Sequence, residues 1–321
     1  MPHIPEDDSL PGPLPGPLPG EDLSFAVPFS TETPGSVRRV SPPPDGLVLV
    51  STPIGNLGDM TPRAVATLKA ADLVLCEDTR TSARLLAAFD IRARVAPLHD
   101  HNEDSRIPGL LDMLRDGKRV AVISDAGMPL VSDPGYRLVR AALAEGLPVG
   151  AIPGANAAML ALVLSGLPPQ PFLFQGFPPP RQAARRSLFT TLRAAERAGL
   201  SATTIWYEAP HRLAETLGDM AEAFGPRPAA VARELTKRFE EVRRDTLVAL
   251  ASHYAAEDAR GEITIVVGPP PEEVTEEADL DALLKAALEN VSLKEAVAQV
   301  TAATGRPRKQ VYARALALSG A

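Results

Sequence analysis

Cysteine is almost absent: Cys76 is the single one in 321 residues. A lone thiol forms no internal disulfide, which excludes a disulfide-stapled scaffold and fits a reducing cytoplasm. Aromatic residues make up 4% of the chain, too few for extensive stacking on nucleic-acid bases. No apolar run reaches the roughly 20 residues that span a bilayer, and the N-terminus lacks a basic-then-apolar secretory pattern. Positive charge is in deficit, with 33 Lys and Arg against 40 Asp and Glu for a net −7. That balance argues against indiscriminate coating of nucleic acid and leaves room only for a local basic face. The expectation is a soluble, cytoplasmic protein that makes no membrane contact.

What is present has globular proportions, 45% hydrophobic and 23% charged. The length exceeds what one compact core usually needs, so two domains are expected. Residues 1–45 hold PGPLPGPLPG and SPPPDG, which lack the backbone donors and apolar periodicity of a packed element. They read as a disordered tail, with a proline-rich ligand for a partner as the sharper alternative. From Leu47 the pattern changes to short β-branched runs between amphipathic stretches, the mark of βαβ units and a mainly parallel sheet. LVLVS, DLVLC, RVAVIS and PVGAI read as strands; TPRAVATLKA, TSARLLAAF and PGYRLVRAALAEG read as helices. After GLPPQP, FLFQGF, TTIWYEA, AAVARE and EITIVVG read as a second set of strands, with RQAARRSLFTTLRAAERAG and HRLAETLGDMAEAFG as helices. Beyond GPPPEE the pattern is helical only. The fold class is therefore α/β, with an N-terminal domain over 46–166, a C-terminal α/β domain over 167–270 and a helical segment over 276–321.

Ligands of open α/β sheets sit outside the carboxyl ends of the strands. ISDAGMPLVSDPG leaves such an end. There Ser124 and Asp125 would project polar atoms from a buried strand, and Gly127 would let a ligand approach the backbone. Asp133 reads as the N-cap of the next helix. The first strand delivers VSTPIGNLGDMT, a glycine-bearing turn that is neither GxGxxG nor a lysine-bearing phosphate loop. The second ends in CEDTR, which groups Glu77, Asp78 and Arg80 either as a structural ion pair or as a constellation of mutually tuned groups. PLHDHNE concentrates His99, Asp100, His101, Asn102 and Glu103 at a spacing that matches no metal-ligand pattern. No metal is assigned, and general-base or substrate contacts are the reading preferred. Cys76, beside two carboxylates that would raise its pKa, reads as a packed residue rather than a nucleophile. In the second half, RQAARR and ARELTKRFEEVRR are either solvated faces or phosphate contacts, and the Arg306, Arg308, Lys309 and Arg314 region of TGRPRKQVYARALAL is either a helix-turn-helix that meets phosphates or a packed helical hairpin without ligand.

TPIGNLGDMT, CEDTR, LHDHNE, SDAGMPLVSDPG, YEAPHRL, ARELTKRFEE and GEITIVVG stand together in an order that resembles the ribosomal RNA small subunit methyltransferase I family, a branch of the tetrapyrrole methylases. The resemblance runs from about Leu47 to the C-terminal helices. It implies a two-domain methylase that binds S-adenosylmethionine between its domains, acts as a homodimer, and methylates the 2'-hydroxyl of a cytidine ribose in 16S ribosomal RNA of the small subunit. The cofactor contacts it implies are Pro53, then Ser124, Asp125, Ala126, Gly127 and Met128, then Ala157, with Tyr207, Ala209, Glu234 and Leu235 from the second domain. Met128 stands where a threonine is common, Arg181 where lysine is common, and Ala155 and Asn156 where small or proline residues are usual. For control of the hydroxyl proton the candidates are Asp78, His99 and Asp100, with Arg80 on a phosphate. Contact with RNA is assigned to Arg181, Arg185, Arg186, Lys237, Arg306, Arg308 and Lys309. Two rivals share the fold: a methylase of a tetrapyrrole, and a non-catalytic ribosome-assembly factor.

Overall fold

The computed structural model describes residues 43–271 and 277–319. The tail expected over 1–45 lies outside the described residues except for its last three positions. The first sheet holds β1 (Leu47–Val50), β2 (Leu73–Cys76), β3 (Val95–Pro97), β4 (Val120–Ile123) and β5 (Val149–Ile152) in the order β3-β2-β4-β1-β5. Every pairing in it is parallel. Parallel strands are covered on both faces, so their residues are apolar throughout rather than alternating. Val48, Val50, Val74 and Ile123 pack on α1 (Pro62–Ala70) and α2 (Thr79–Ala88). Leu47, Leu75, Val120 and Val122 pack on α3 (Glu103–Arg115) and α4 (Tyr136–Ala144). Cys76 is buried within this core, and its thiol is raised first by burial and then by the charges of Asp125 and Asp78, against a hydrogen bond with Ser82.

The second sheet holds β6 (Phe172–Gly176), β7 (Thr203–Glu208), β8 (Pro228–Arg233), β9 (Glu241–Thr246) and β10 (Ile263–Val267) in the order β6-β7-β10-β8-β9. Only β6 and β7 are parallel; the other three pairings are antiparallel. The mainly parallel pattern expected from the first half does not extend here, because the charged stretch after ARELTKRF turns back as β9 instead of entering a crossover helix. One face packs on α6 (Gln182–Arg197), α7 (Leu213–Phe224) and α8 (Leu247–Ala256), with Trp206 edge-on to Phe189 at 5.5 Å between centroids. The other face is covered by α5 (Ala157–Ser165), whose Ala158, Ala161 and Leu162 meet Ile205, Ala230 and Val266. Thus α5, inside the stretch read as the first domain, packs on the second sheet. It is apolar nearly all round, and burial against a sheet suits such a helix.

Three helices close the chain: α9 (Glu277–Leu288), α10 (Leu293–Thr304) and α11 (Arg308–Leu318). Leu280, Leu284, Val297, Val300, Val311 and Ala315 form their own small core. Ser292 and Glu295 form a capping box at the start of α10, and Gly305 ends it at φ 66°, the left-handed region where glycine carries no steric penalty. Among the described residues no helix is long and apolar enough to cross a membrane.

Candidate active site

The loops after β1, β4 and β5 converge on the ends of β7, β8 and β10 around a cavity of about 370 Å³. Its floor follows from register. Thr264 pairs with Tyr207 on one side and Ala232 on the other, so the three share the sheet face that α5 covers further along. The walls come from Ile54 of the first loop, from 125–128 and 131–133 after β4, and from Asn156 and Ala157 at the start of α5. Phe177, the 208–210 stretch, Leu235 and the 261–263 stretch complete the lining.

The first and fourth loops are bound to each other by a two-way backbone pair. Thr52 N–H donates to Gly127 O at 2.8 Å, and Gly127 N–H donates to Thr52 O at 3.2 Å. The Thr52 hydroxyl donates to Ser124 O at 3.1 Å, and the Ser124 hydroxyl to Gly127 O at 2.9 Å. Gly127 has φ 86°, and a Cβ there would stand 3.1 Å from Ile54 Cγ2. Glycine is needed both for the left-handed backbone and for the close approach. Asn156 N-caps α5 by accepting from Met159 N–H at 3.0 Å, and its place in the cavity wall follows from that cap.

Among the described residues four carboxylates line the cavity, Asp125, Asp133, Glu208 and Glu262, and no Lys, Arg or His does. Glu208 is buried and committed: it accepts from Ala209 N–H at 2.8 Å and from the Thr216 hydroxyl, with Arg212 Nη2 at 3.3 Å. Glu262 lies 3.2 Å from Lys237 Nζ. Asp125 accepts from Asp78 N–H at 3.3 Å. Burial is the main cause that raises its carboxyl above the usual range, with the Asp78 charge adding and that hydrogen bond opposing. Asp133 is pushed up to about 6, chiefly by burial, then by the charges of Glu77 and Asp125, against a hydrogen bond with Ser124. Tyr207 stacks edge-on to Phe174 at 5.0 Å, and its phenol is raised by burial and by the charges of Asp133 and Glu262, against a backbone hydrogen bond at Ala158.

Of the residues expected to contact a cofactor, Asp125, Ala126, Gly127, Met128, Ala157, Tyr207, Ala209 and Leu235 line this one cavity. Pro53 is buried behind it, and Ser124 is buried and spends its hydroxyl on Gly127. Glu234 is drawn into a bridge instead, 2.8 Å from Lys237 Nζ and accepting Glu262 N–H at 3.0 Å. The Lys237 stem lies against Gly55, where a Cβ would be 2.4 Å from Lys237 Cγ, so this bridge spans from the second sheet to the first loop.

The residues expected to handle a proton are outside the cavity wall. Asp78 N-caps α2, accepting Arg80 N–H at 2.8 Å, and Arg80 is 90% exposed with Asp78 as its ion-pair partner at 3.4 Å. His99 sits in the turn before α3, with Nε2 3.2 Å from Asn102 Nδ2, and the exposed Asp100 accepts Arg137 Nη2 through its backbone carbonyl at 3.2 Å. The N-cap expected of Asp133 is also displaced. Gly135 occupies the cap position of α4 without a side-chain bond, and Glu103, only 1% exposed, reaches across from α3 to accept Leu138 N–H at 2.8 Å. Asp133 is therefore left facing the cavity. Its place in the same loop as Asp125 was the one sequence signal for it.

Among the residues assigned to RNA, Arg185 is corrected outright. It is 0% exposed, with Nε donating to Asp219 Oδ2 at 2.7 Å, and it joins α6 to α7. Phosphate cannot reach it. Arg186 shares Asp219 at 2.7 Å and Lys237 is held by Glu234 and Glu262, so both are neutralised locally. Arg181, Arg308 and Lys309 are exposed, and Arg306 is partly so. Arg314 is turned inward to Asp281 at 2.6 Å, tying α11 to α9. No group of three or more potential metal ligands occurs among the described residues.

Parallel strands delivering loops to a cavity shared with a second, mostly antiparallel sheet define the class. Residues 46–251 match the family of Tetrapyrrole (Corrin/Porphyrin) Methylases, and residues 274–319 match the RsmI C-terminal HTH domain. Solved structures agree on the fold: a diphthine synthase (TM-score 0.54, 15% identity, 69% of this chain and 90% of that one) and the methyltransferase CobJ (TM-score 0.52, 21% identity, 70% and 95%). The ribosomal RNA small subunit methyltransferase I of Mesorhizobium japonicum is 48% identical over 274 residues, covering 85% of this chain and 92% of its own. The protein of that name from Micromonospora olivasterospora is 46% identical over 276 residues, covering 83% and 85%. The chain belongs to the ribosomal RNA small subunit methyltransferase I family.

Proposed function

We propose that this chain transfers a methyl group from S-adenosylmethionine to the 2'-hydroxyl of a cytidine ribose in 16S ribosomal RNA. The observation that carries the reading is the charge of the cavity: among the described residues its lining has four carboxylates and no cationic side chain. Such a site disfavours phosphates and favours a ligand with cationic centres, and a sulfonium next to an ammonium is one. The size also suits it, because pockets for ligands of this class run from about 300 to 1,000 Å³. Apolar Ile54, Met128, Ala157 and Leu235 offer surface to the purine and the thioether chain. Bound there, the cofactor supplies an electrophilic methyl on a positively charged sulfur.

The residues of this chain then have three tasks. Asp125, Ala126, Gly127, Met128, Ala157, Tyr207, Ala209 and Leu235 hold the donor, with Pro53 and Ser124 setting the backbone behind it. Phe177 and Met128 screen it from water. The exposed basic side chains Arg181, Arg308 and Lys309, together with Arg306, meet the RNA backbone, while the cavity admits one ribose. Arg80, beside Asp125 through Asp78, is placed for a phosphate. A chain of net charge −7 needs such local contacts, because its overall field repels RNA. The protein works in the cytoplasm as a homodimer.

The test is transfer of labelled methyl to small ribosomal subunits lacking the modification, followed by mapping of the labelled nucleotide. Label on a single cytidine ribose is expected. Binding of S-adenosylhomocysteine without transfer to any ribosomal RNA would leave the assembly-factor reading in its place.

A further inference from the structure

Once Asp78, His99 and Asp100 lie outside the cavity wall, the reaction lacks a proton acceptor. The four lining carboxylates are not equivalent candidates. Glu208 is tied by Ala209, Thr216 and Arg212; Glu262 is paired with Lys237; Asp125 accepts a backbone N–H from Asp78. Among the described residues Asp133 has no cationic or backbone partner; its hydrogen-bond neighbour is Ser124, whose hydroxyl also lies 2.9 Å from Gly127 O.

The loop that carries Asp133 is held at a cost. Leu130 (φ 71°) and Ser132 (φ 67°) are left-handed without being glycine, a conformation that crowds a Cβ against the backbone. The β6 end approaches this loop closely, since a Cβ on Gly176 would be 3.5 Å from Ser132 Oγ. The cap that Asp133 would ordinarily give α4 comes instead from Glu103 on another helix. Together these arrangements keep a carboxylate aimed at the cavity when a simpler turn would have spent it on the helix.

Resting on the function proposed above, we infer that Asp133 is the general base that accepts the proton of the attacking ribose hydroxyl. The hydroxyl O–H bond breaks toward the Asp133 carboxylate as the new O–CH3 bond forms and the C–S bond breaks. A cationic donor, an anionic carboxylate and a neutral alcohol become a neutral thioether, a carboxylic acid and a methyl ether, so charge and atoms balance. The acid returns its proton to water after product leaves. An acceptor titrating near 6 is ionised at neutral pH and still basic enough to be useful. The groups that set this are Glu77 at the end of β2, Asp125 and Ser124 after β4, and Tyr207 and Glu262 across the cavity.

The experiment compares wild type, Asp133→Asn and Asp133→Glu, each measured by calorimetric titration with S-adenosylhomocysteine and by kcat for methyl transfer to small subunits from pH 5.5 to 8.5. For Asp133→Asn the expected result is an S-adenosylhomocysteine Kd within threefold of wild type, kcat at pH 8 reduced about 100-fold or more, and loss of the acid limb near pH 6. Asp133→Glu is expected to keep part of the rate with the limb displaced. An Asp133→Asn enzyme with kcat within threefold of wild type, or one whose entire loss lies in Kd, overturns the assignment. Should Asp133→Asn fail to bind and fold, Asp133→Glu decides: an unmoved limb overturns it and a displaced limb supports it. Failure of the wild type itself to transfer methyl would strike the proposed function instead.

Discussion

Replacing Asp219 with alanine should destabilise the second sheet and the helices packed on it far more than replacing its partner Arg185. The Asp219 side chain is 2% exposed and accepts Arg185 Nε at 2.7 Å, Arg186 Nε at 2.7 Å and Gln182 Nε2 at 3.2 Å. Truncation leaves the Arg185 guanidinium, 0% exposed, with only the half-exposed Glu215 at 2.9 Å. An uncompensated buried charge costs about 3–5 kcal/mol. Arg185→Met is the milder change, because Asp219 keeps Arg186 and Gln182 and the methionine fills the arginine stem; about 1–2 kcal/mol is expected. Trp206, the single tryptophan, is buried in the same core against Phe189 of α6, so its fluorescence in a urea titration reports this core. At ordinary urea dependence the Asp219→Ala midpoint should fall by about 2 M. The carboxyl also titrates below its usual value: burial pushes it up, but the hydrogen bonds from Arg186, Arg185 and Gln182 outweigh that. Its contribution is therefore present above about pH 4 and lost as pH falls through the depressed value. An Asp219→Ala loss under about 1 kcal/mol, or one smaller than that of Arg185→Met, would refute the claim that this network is a buried charge balance.

Asp133→Asn should stabilise the fold at neutral pH. The folded carboxyl holds its proton to about 6 while the unfolded one loses it near 3.8, so stability falls between those pH values and stays lost above them. Removing the charge should return about 2 kcal/mol at pH 7 and nothing at pH 3.5, read by urea unfolding of variant against wild type. Gly127→Ala, at φ 86° with Ile54 Cγ2 in the way, should lower S-adenosylhomocysteine affinity at least tenfold by calorimetry; unchanged affinity would remove Gly127 from the ligand's approach. Arg308→Ala with Lys309→Ala should reduce the slope of log K against log salt for RNA binding by roughly two. Lys237→Met, whose charge is already matched by Glu234 and Glu262, should leave that slope unchanged while weakening S-adenosylhomocysteine binding through the loosened bridge; a change of about one in slope would return Lys237 to the RNA interface.

The first-sheet side of the cavity was legible from sequence because its cause is local. Strand ends announce themselves by β-branched runs followed by Gly, Pro, Ser and Asp, and SDAG after RVAVIS is enough to place Asp125, Gly127 and Met128 at a sheet rim. The same locality failed for Asp133, where Asp-Pro-Gly before a helix is a strong capping pattern. What displaced it was Glu103, which caps Leu138 from 35 positions away along the chain, and no short window contains that contact. β9 and the antiparallel second sheet were hidden for a similar reason: a strand carrying Glu241, Arg243, Arg244 and Asp245 looks like a solvated charge run until β8 supplies its hydrogen bonds. Arg185 is the sharpest case, since the helical spacing of RQAARR does not say which arginine faces α7. Periodicity, turn chemistry and composition, all set within a few residues, thus determined the α/β class, the strand ends and the cavity loop after β4. Tertiary structure alone decided which charges are paired, which cavity carboxylate is left without a cation or a backbone donor and which basic residues reach solvent, because ion pairing and burial depend on groups that only folding brings within a few ångströms.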